Sequence, residues 1–245
     1  MWKHWIRRWL ADAGYVVFNT RSTSEYARDG LFTSHNARFL TDPEFREAYE
    51  RGVAAGSGVD PRMEWRVHVA LWLAQQARRL DGDFVECGVN SGFVSSAIMR
   101  RLDWSRLPKT FFLIDTFEGP VVSQYSEEEI RNGRRRVAEE ALARGSYVTD
   151  LREVERKFAE WPNARVVKGA VPGVLASLEV DRVAFLHLDM NCAYPECAAL
   201  EHFWDKLTPG GIVLLDDYAY YGNEHLAEEI DRVARRLGIG MLALP

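Results

Sequence analysis

Phe84-Val-Glu-Cys-Gly-Val-Asn-Ser-Gly92 carries a short apolar segment straight into two glycines four positions apart and then into a helical pattern. A strand, a Gly-x-x-x-Gly turn and a helix in that order put bare backbone and free helix N-terminal N–H groups beneath a nucleotide-like ligand. The third glycine of the dinucleotide pattern G-x-G-x-x-G is missing, and Glu86 precedes the turn. A carboxylate is badly placed beside a pyrophosphate and well placed beside a cationic sulfonium or amino group. Without a ligand, the same stretch reads as a glycine-rich turn with a solvated Glu. Asp115 ends the next apolar run, one βαβ unit further on, where an acid accepts both hydroxyls of a ribose. Alone it would read as a turn or helix-capping aspartate; with the glycine turn it points to an adenosine-containing ligand.

Three more acids stand at the ends of later apolar runs: Asp189 after Leu186-His-Leu, and Asp216 with Asp217 after Ile212-Val-Leu-Leu. In a parallel sheet these would meet at the C-terminal edge, where ligands bind. Three converging carboxylates repel one another, and a divalent cation that prefers hard oxygen ligands relieves this; Mg²⁺ is the natural choice. Spread apart, the same residues are ordinary loop acids. Strand alternation puts His187 on the side of Asp189, but a lone His in an apolar strand is more often a satisfied core residue than a base. Cys87, Cys192 and Cys197 lack zinc-like spacing with His and read as packing residues.

The elements that must position these groups follow from the hydrophobic pattern. Strands are expected at 84–87, 110–114, 165–167, 183–188, 211–215 and 239–244. Helical spacing occupies 94–102, 149–160, 172–178, 194–207 and 225–237 between them. Alternation of this kind marks a doubly wound, mostly parallel α/β sheet. Residues 1–80 show helical patterns at 42–51 and 63–80 and no strand signal, and we read them as a helical cap on a ligand-binding domain at 81–245. The stretch 118–144, with Glu127-Glu-Glu129 and Arg134-Arg-Arg136, reads as a helical insertion that is either a solvated surface or a lid.

Composition narrows the class of function. The 245 residues hold 31 Lys plus Arg and 36 Asp plus Glu, a net charge of −5, with no basic block, so a nucleic-acid backbone is not the expected partner. No apolar run reaches the roughly 18–20 residues of a membrane span. Three cysteines make no disulfide framework, and a soluble protein in the cytoplasm is the expectation. In the first ten residues, Trp2, Trp5, Ile6, Trp9 and Leu10 fall at helical spacing with Lys3, Arg7 and Arg8 between them. This is an amphipathic helix rather than a signal peptide, suited to docking on the protein's own body or on a second subunit and, second, to a membrane surface.

Phe84-Val-Glu-Cys-Gly-Val-Asn-Ser-Gly92, Ile114-Asp-Thr-Phe-Glu-Gly119, Leu186-His-Leu-Asp-Met-Asn191 with Tyr194, and Pro209-Gly-Gly-Ile-Val-Leu-Leu-Asp-Asp-Tyr218 resemble the macrocin O-methyltransferase family of class I S-adenosylmethionine-dependent enzymes. The resemblance covers roughly residues 83–244. It implies a Rossmann-like sheet and methyl transfer to a hydroxyl of a glycosyl or related natural product. It further implies Mg²⁺ held by Asp189, Asp216 and Asp217, with Asp189 orienting or deprotonating the acceptor. On this reading Glu86, Gly88, Asn90, Ser91 and Gly92 hold the methionine part of S-adenosylmethionine. Asp115 with Thr116 holds the ribose, and Gly169 and Ala170 lie near the adenine. Some relatives carry Asp where this chain has Asn191, with one residue fewer before Tyr194. Enzymes of this class also close with a seventh, antiparallel strand beside the fifth, for which residues 1–245 offer no candidate, so a partly unpaired strand is expected. The expected partner is a small-molecule acceptor bearing a sugar or polyol hydroxyl, and the expected assembly a homo-oligomer. Two other functions share some of these features: a nicotinamide-dependent oxidoreductase, and a cofactor-binding scaffold without catalysis.

Overall fold

The computed structural model describes residues 2–15, 26–33 and 35–244. Helix α1 (Trp2–Asp12) is followed by a hairpin of strands β1 (Tyr26–Arg28) and β2 (Leu31–Thr33). The hairpin corrects the expectation of no strand before residue 80. Its turn is Asp29-Gly30 with φ of 51° and 74°, the two-residue backbone that matches the twist of antiparallel strands. On α1, Trp5 and Trp9 are exposed, while the side chains of Trp2, Lys3 and Arg7 lie outside the described part. Helices α2 (Pro43–Ala55) and α3 (Glu64–Ala77) come next. Asp42 starts α2 by accepting the Glu44 N–H, with Pro43 at the first helical positions, where no N–H is needed.

From residue 83 strand and helix alternate: β3 (Asp83–Cys87), α4 (Phe93–Leu102), β4 (Phe111–Asp115), an insertion with α5 (Glu127–Arg131) and α6 (Arg134–Ala143), then α7 (Leu151–Phe158) and β5 (Ala164–Lys168). There follow β6 (Val183–Leu188), α8 (Ala193–Trp204), β7 (Leu207–Leu215) and α9 (Glu224–Leu237). Strands β3 to β7 form one parallel sheet in the order β5-β4-β3-β6-β7. The order reverses at β3, which lies between β4 and β6, so the crevice above their C-terminal ends is the ligand-binding edge of this topology.

Alternation along each strand sorts the side chains onto two faces. Phe84, Phe111 and Phe185 pack with Trp104 against Phe45, Val67, Ala70 and Leu71 of α2 and α3. Val85, Cys87, Ile114, Leu186 and Leu188 pack on the opposite face against Leu200, Phe203, Leu226 and Ile230 of α8 and α9. Helices α2 and α3 thus share the core of the sheet.

Two expected elements are absent. Residues 239–244 form no strand and instead line, with Val213, Leu215, Trp204 and Tyr221, a groove of about 860 Å³ beside β7. Strand propensity is expressed only against a ladder partner, and the outer edge of β7 pairs with no strand among the described residues. The pattern at 172–178 yields only a 3-10 turn at Leu175–Ser177, because Pro172 and Gly173 leave too few residues to propagate a helix. No helix among the described residues is long and apolar enough to cross a membrane.

Candidate active site

The glycine turn after β3 is built by close approach. Gly88 has a φ of +96°, and a Cβ there would lie 1.8 Å from the carbonyl oxygen of Asp189, so β3 and β6 can end side by side only with glycine at this position. Asn90 follows in the left-handed region at φ 49° and donates its backbone N–H to Asp115 Oδ2 at 2.8 Å. Its side chain clamps the loop before α7, donating to Ser146 O and accepting from the Val148 N–H. Gly92 serves packing: a Cβ would collide with the ring of Phe158 at 2.4 Å. Asp115 also accepts the Phe117 N–H through Oδ1, and Thr116 Oγ1 donates to Gly119 O.

Above these residues runs a cleft. Gly88, Asn90, Asp115, Thr116, Gly169, Ala170 and Asp189 all line it, and the insertion closes one side with Gln124 and Tyr125. The lid reading of 118–144 fits this position better than a solvated surface. A capping box helps to seat it, Ser126 and Glu129 each bonding the other's backbone N–H, and Glu129 also accepts the Ala193 N–H at the start of α8. Glu86, Ser91 and Gly92, expected at the ligand, are not on the cleft wall. Glu86 is buried and bonded to His187 Nδ1 at 2.9 Å, its direct neighbour across the β3–β6 ladder.

The three acids separate for a geometric reason. Asp216 and Asp217 are consecutive in the bend beyond β7, and their side chains take different partners. Asp216 joins Asp189 and His187, with one ligand atom from each lying within 4.8 Å of the others. Asp217 is drawn the other way, accepting the Asn191 N–H at 2.8 Å and the Asn223 side-chain N–H at 3.0 Å. The structure thus brings His187, Asp189 and Asp216 into one tight group, with Asp217 beside it on other hydrogen-bond partners. Arg66, which the sequence reading did not single out, neutralises the cluster: its Nη1 donates to Asp216 Oδ2 at 2.6 Å, and its other nitrogens grip Asp29 at the hairpin turn. Burial works against charge on Arg66, but Asp216, Asp29 and Asp189 outweigh it and raise its pKa. Burial first, and then Asp216 and Asp217, hold the Asp189 carboxyl well above the ordinary carboxylate range. On His187, burial opposes the charged form and the bond to Glu86 favours it, with a net upward shift. Asn191 links the two halves: its side chain donates to Asp189 Oδ1 at 3.3 Å and accepts from Arg134 of the insertion.

Glu196 on α8 is a second residue, after Arg66, that the sequence reading did not single out. It is fully buried and accepts the Met190 N–H; burial and the neighbouring Asp217 raise its pKa well above 4.5. The folded protein thus holds a proton that the unfolded chain releases, and stability falls as pH rises from the ordinary carboxylate range through the raised value. Glu196→Gln keeps the shape without the charge. It is expected to exceed wild-type stability by about 1 kcal/mol or more above neutral pH, since one pKa unit is worth about 1.4 kcal/mol, and to match it in acid. Thermal unfolding on both sides of neutrality checks this; a Gln variant less stable than wild type at high pH would show that the charge is stabilising.

The arrangement offers a glycine-floored cleft lined by Asp115 and Asp189, with Asp189 also joining His187 and Asp216, the latter on the wall of the groove beside β7. Comparison with known proteins agrees with that chemistry. The family model described as macrocin-O-methyltransferase (TylF) matches residues 65–240. A curated relative from Streptomyces olivaceus, 8-demethyl-8-(2,3-dimethoxy-alpha-L-rhamnosyl)-tetracenomycin-C 4'-O-methyltransferase, is 29% identical over 147 residues, 56% of this chain and 53% of the relative. The chain thus spans about half the length of the curated relative it matches. Among solved structures, the O-methyltransferase NovP superposes with a TM-score of 0.63 at 19% identity, covering 84% of this chain and 94% of that one. The calicheamicin methyltransferase CalS11 gives 0.56 at 17% identity, covering 83% and 90%. These likenesses establish a class I methyltransferase fold, and the extent of the family match establishes that the chain belongs to the macrocin O-methyltransferase family.

Proposed function

We propose that this chain is an S-adenosylmethionine-dependent O-methyltransferase whose acceptor is a hydroxyl of a glycosylated natural product or a related small molecule. The observation that carries the reading is the shared wall of one cleft, on which Gly88, Asn90, Asp115, Gly169 and Ala170 stand together with Asp189. Family membership supports the reaction, and the rhamnosyl tetracenomycin named for the curated relative supports the acceptor class. Gly88 and Asn90 would lie against the methionine part, Asp115 and Thr116 against the ribose, and Gly169 with Ala170 against the adenine.

Methyl transfer needs alignment more than activation of the donor, because a sulfonium is already a good leaving group. The acceptor oxygen, held beside Asp189, attacks the methyl carbon in line with the S–C bond. The O–C bond forms as the C–S bond breaks, the sulfur leaves as a neutral thioether, and the hydroxyl proton passes to Asp189. A carboxylate held beside the acceptor hydroxyl is suited to take that proton. A divalent cation fits at the same end: Asp189 Oδ2 and Asp216 Oδ1 accept no hydrogen bond among the described residues, whereas both oxygens of Asp217 are engaged. When bound, it would lower the pKa of the acceptor hydroxyl.

Equilibrium dialysis is expected to show retention of radiolabelled S-adenosylmethionine and none of NAD. Asp115→Ala should weaken that binding by about 1.5–3 kcal/mol, the scale of a hydrogen bond to a charged group. Because Asp115 also accepts two backbone N–H groups, its thermal unfolding is recorded alongside. Unchanged affinity in a folded variant would remove Asp115 from the ribose site.

A further inference from the structure

We propose that Tyr147 is a specificity residue for the methyl donor: its aromatic side chain stands beside the donor's sulfonium and favours that cation over the neutral thioether left after transfer. The inference rests on the reading above for the identity of the donor. Tyr147 belongs to the loop between α6 and α7, is half-buried, and lines the same cleft as Gly88, Asn90, Asp115 and Asp189. Asn90 grips the residue on each side of it, donating to Ser146 O at 3.0 Å and accepting the Val148 N–H at 2.9 Å. The backbone of Tyr147 is thereby tied to the turn that floors the cleft, and the same Asn90 is tied through its own N–H to Asp115. Among the described residues no ring contact and no hydrogen bond engages the Tyr147 side chain itself. A side chain fixed at its backbone and uncommitted at its tip is free to meet a ligand.

Its place along the cleft decides what it meets. A donor with its methionine part on Gly88 and Asn90 and its ribose on Asp115 carries the sulfur where those two parts join, and presents the methyl group towards Asp189. Tyr147 stands in that interval. Burial first, and then Asp189, Asp217 and Asp115 against the opposing Arg134, raise the pKa of its phenol, so the side chain is neutral and lies within the field of both the ribose acid and the acid at the acceptor end. A neutral aromatic ring offers its negative face to a cation, and the attraction grows as water is excluded. A thioether carries no charge and gains none of it. A carboxylate in the same place would hold the cation too, but it is itself a nucleophile towards the methyl group. The ring therefore retains the charged donor and lets the spent product go.

Calorimetric titration of the whole chain with three probes tests this: S-adenosylmethionine, S-adenosylhomocysteine, and sinefungin, which carries a protonated amine where the donor has its methylated sulfur. Tyr147→Leu is expected to weaken binding of the two cations by about three- to tenfold, the range of a partly desolvated contact between a cation and a ring, and that of S-adenosylhomocysteine by less than about twofold. Tyr147→Phe keeps the ring and should leave all three within about twofold of wild type. Equal losses for the three probes would assign Tyr147 to cleft shape alone and overturn the proposal. Unchanged binding in the Leu variant would overturn it as well, and so would a Phe variant that behaves like Leu. If Tyr147→Leu does not fold, Tyr147→Met carries the same comparison. Wild-type protein that binds none of the three probes would overturn the donor reading itself, whereas failure confined to the variants leaves that reading standing.

Discussion

Asp189→Asn is expected to lower the rate of methyl transfer by about 10²–10⁴-fold, the range lost with a positioned general base, while S-adenosylmethionine affinity changes by less than about 0.5 kcal/mol. The amide has the shape of the acid but cannot take the acceptor's proton, and at the proposed cation site it would remove a charged ligand. Chelation with EDTA should have a parallel effect, reversed by a divalent ion, because the same end of the cleft is disabled. The stability of the variant separates chemistry from structure. The Asp189 pKa is raised by burial and by Asp216 and Asp217, so its ionised form costs stability at neutral pH. Asn removes that cost and should unfold no earlier than wild type. Steady-state kinetics with thermal unfolding gives the answer: lost activity in a variant of undiminished stability assigns Asp189 to the reaction. Wild-type turnover would exclude it.

Gly88→Ala should be the most destructive small change in the molecule. A Cβ at this position would fall 1.8 Å from the Asp189 carbonyl oxygen, backbone against backbone, where no side chain can move aside. The φ of +96° adds strain that only glycine escapes. Together these should cost more than about 3 kcal/mol, at the severe end of single substitutions, and displace the floor of the cleft. Gly222→Ala is the control: its φ is +89°, but nothing lies within 4 Å of a Cβ there, so only the backbone term of about 1 kcal/mol remains. Urea denaturation of both measures the contrast. A Gly88→Ala protein within about 1 kcal/mol of wild type would mean that β3 and β6 part without penalty.

Much of the sheet was legible from residue order. Each of β3 to β7 appears as a β-rich run closed by a glycine or an acid, and every one formed within a few residues of the expected place. The β1–β2 hairpin was missed because its strands are only three residues each, although Asp29-Gly30 is the dipeptide that such a turn prefers. The apolar run at 239–244 misled in the opposite sense: it has the composition of a strand and no ladder to join. The Ser126-to-Glu129 spacing is that of a capping box, a signal the reading of 118–144 as a charged insertion passed over, whereas nothing around Glu196 marked it as buried.

What the amino-acid order determined by itself was the succession of strand, turn and helix, and with it the need for glycine at 88 and an acid at 115. Those features depend on hydrophobic period and on backbone conformation over a few residues, and both are written locally. Only the tertiary structure decided which groups share the cluster. The β6–β7 register sets Leu188 against Leu215, so that Asp189 meets Asp216 beside His187, while the bend after β7 carries Asp217 to Asn191 and Asn223. Arg66 reaches the same cluster from a helix 150 positions earlier in the chain. No spacing rule spans such a distance, because the contact exists only after α3 has packed its apolar side onto the sheet.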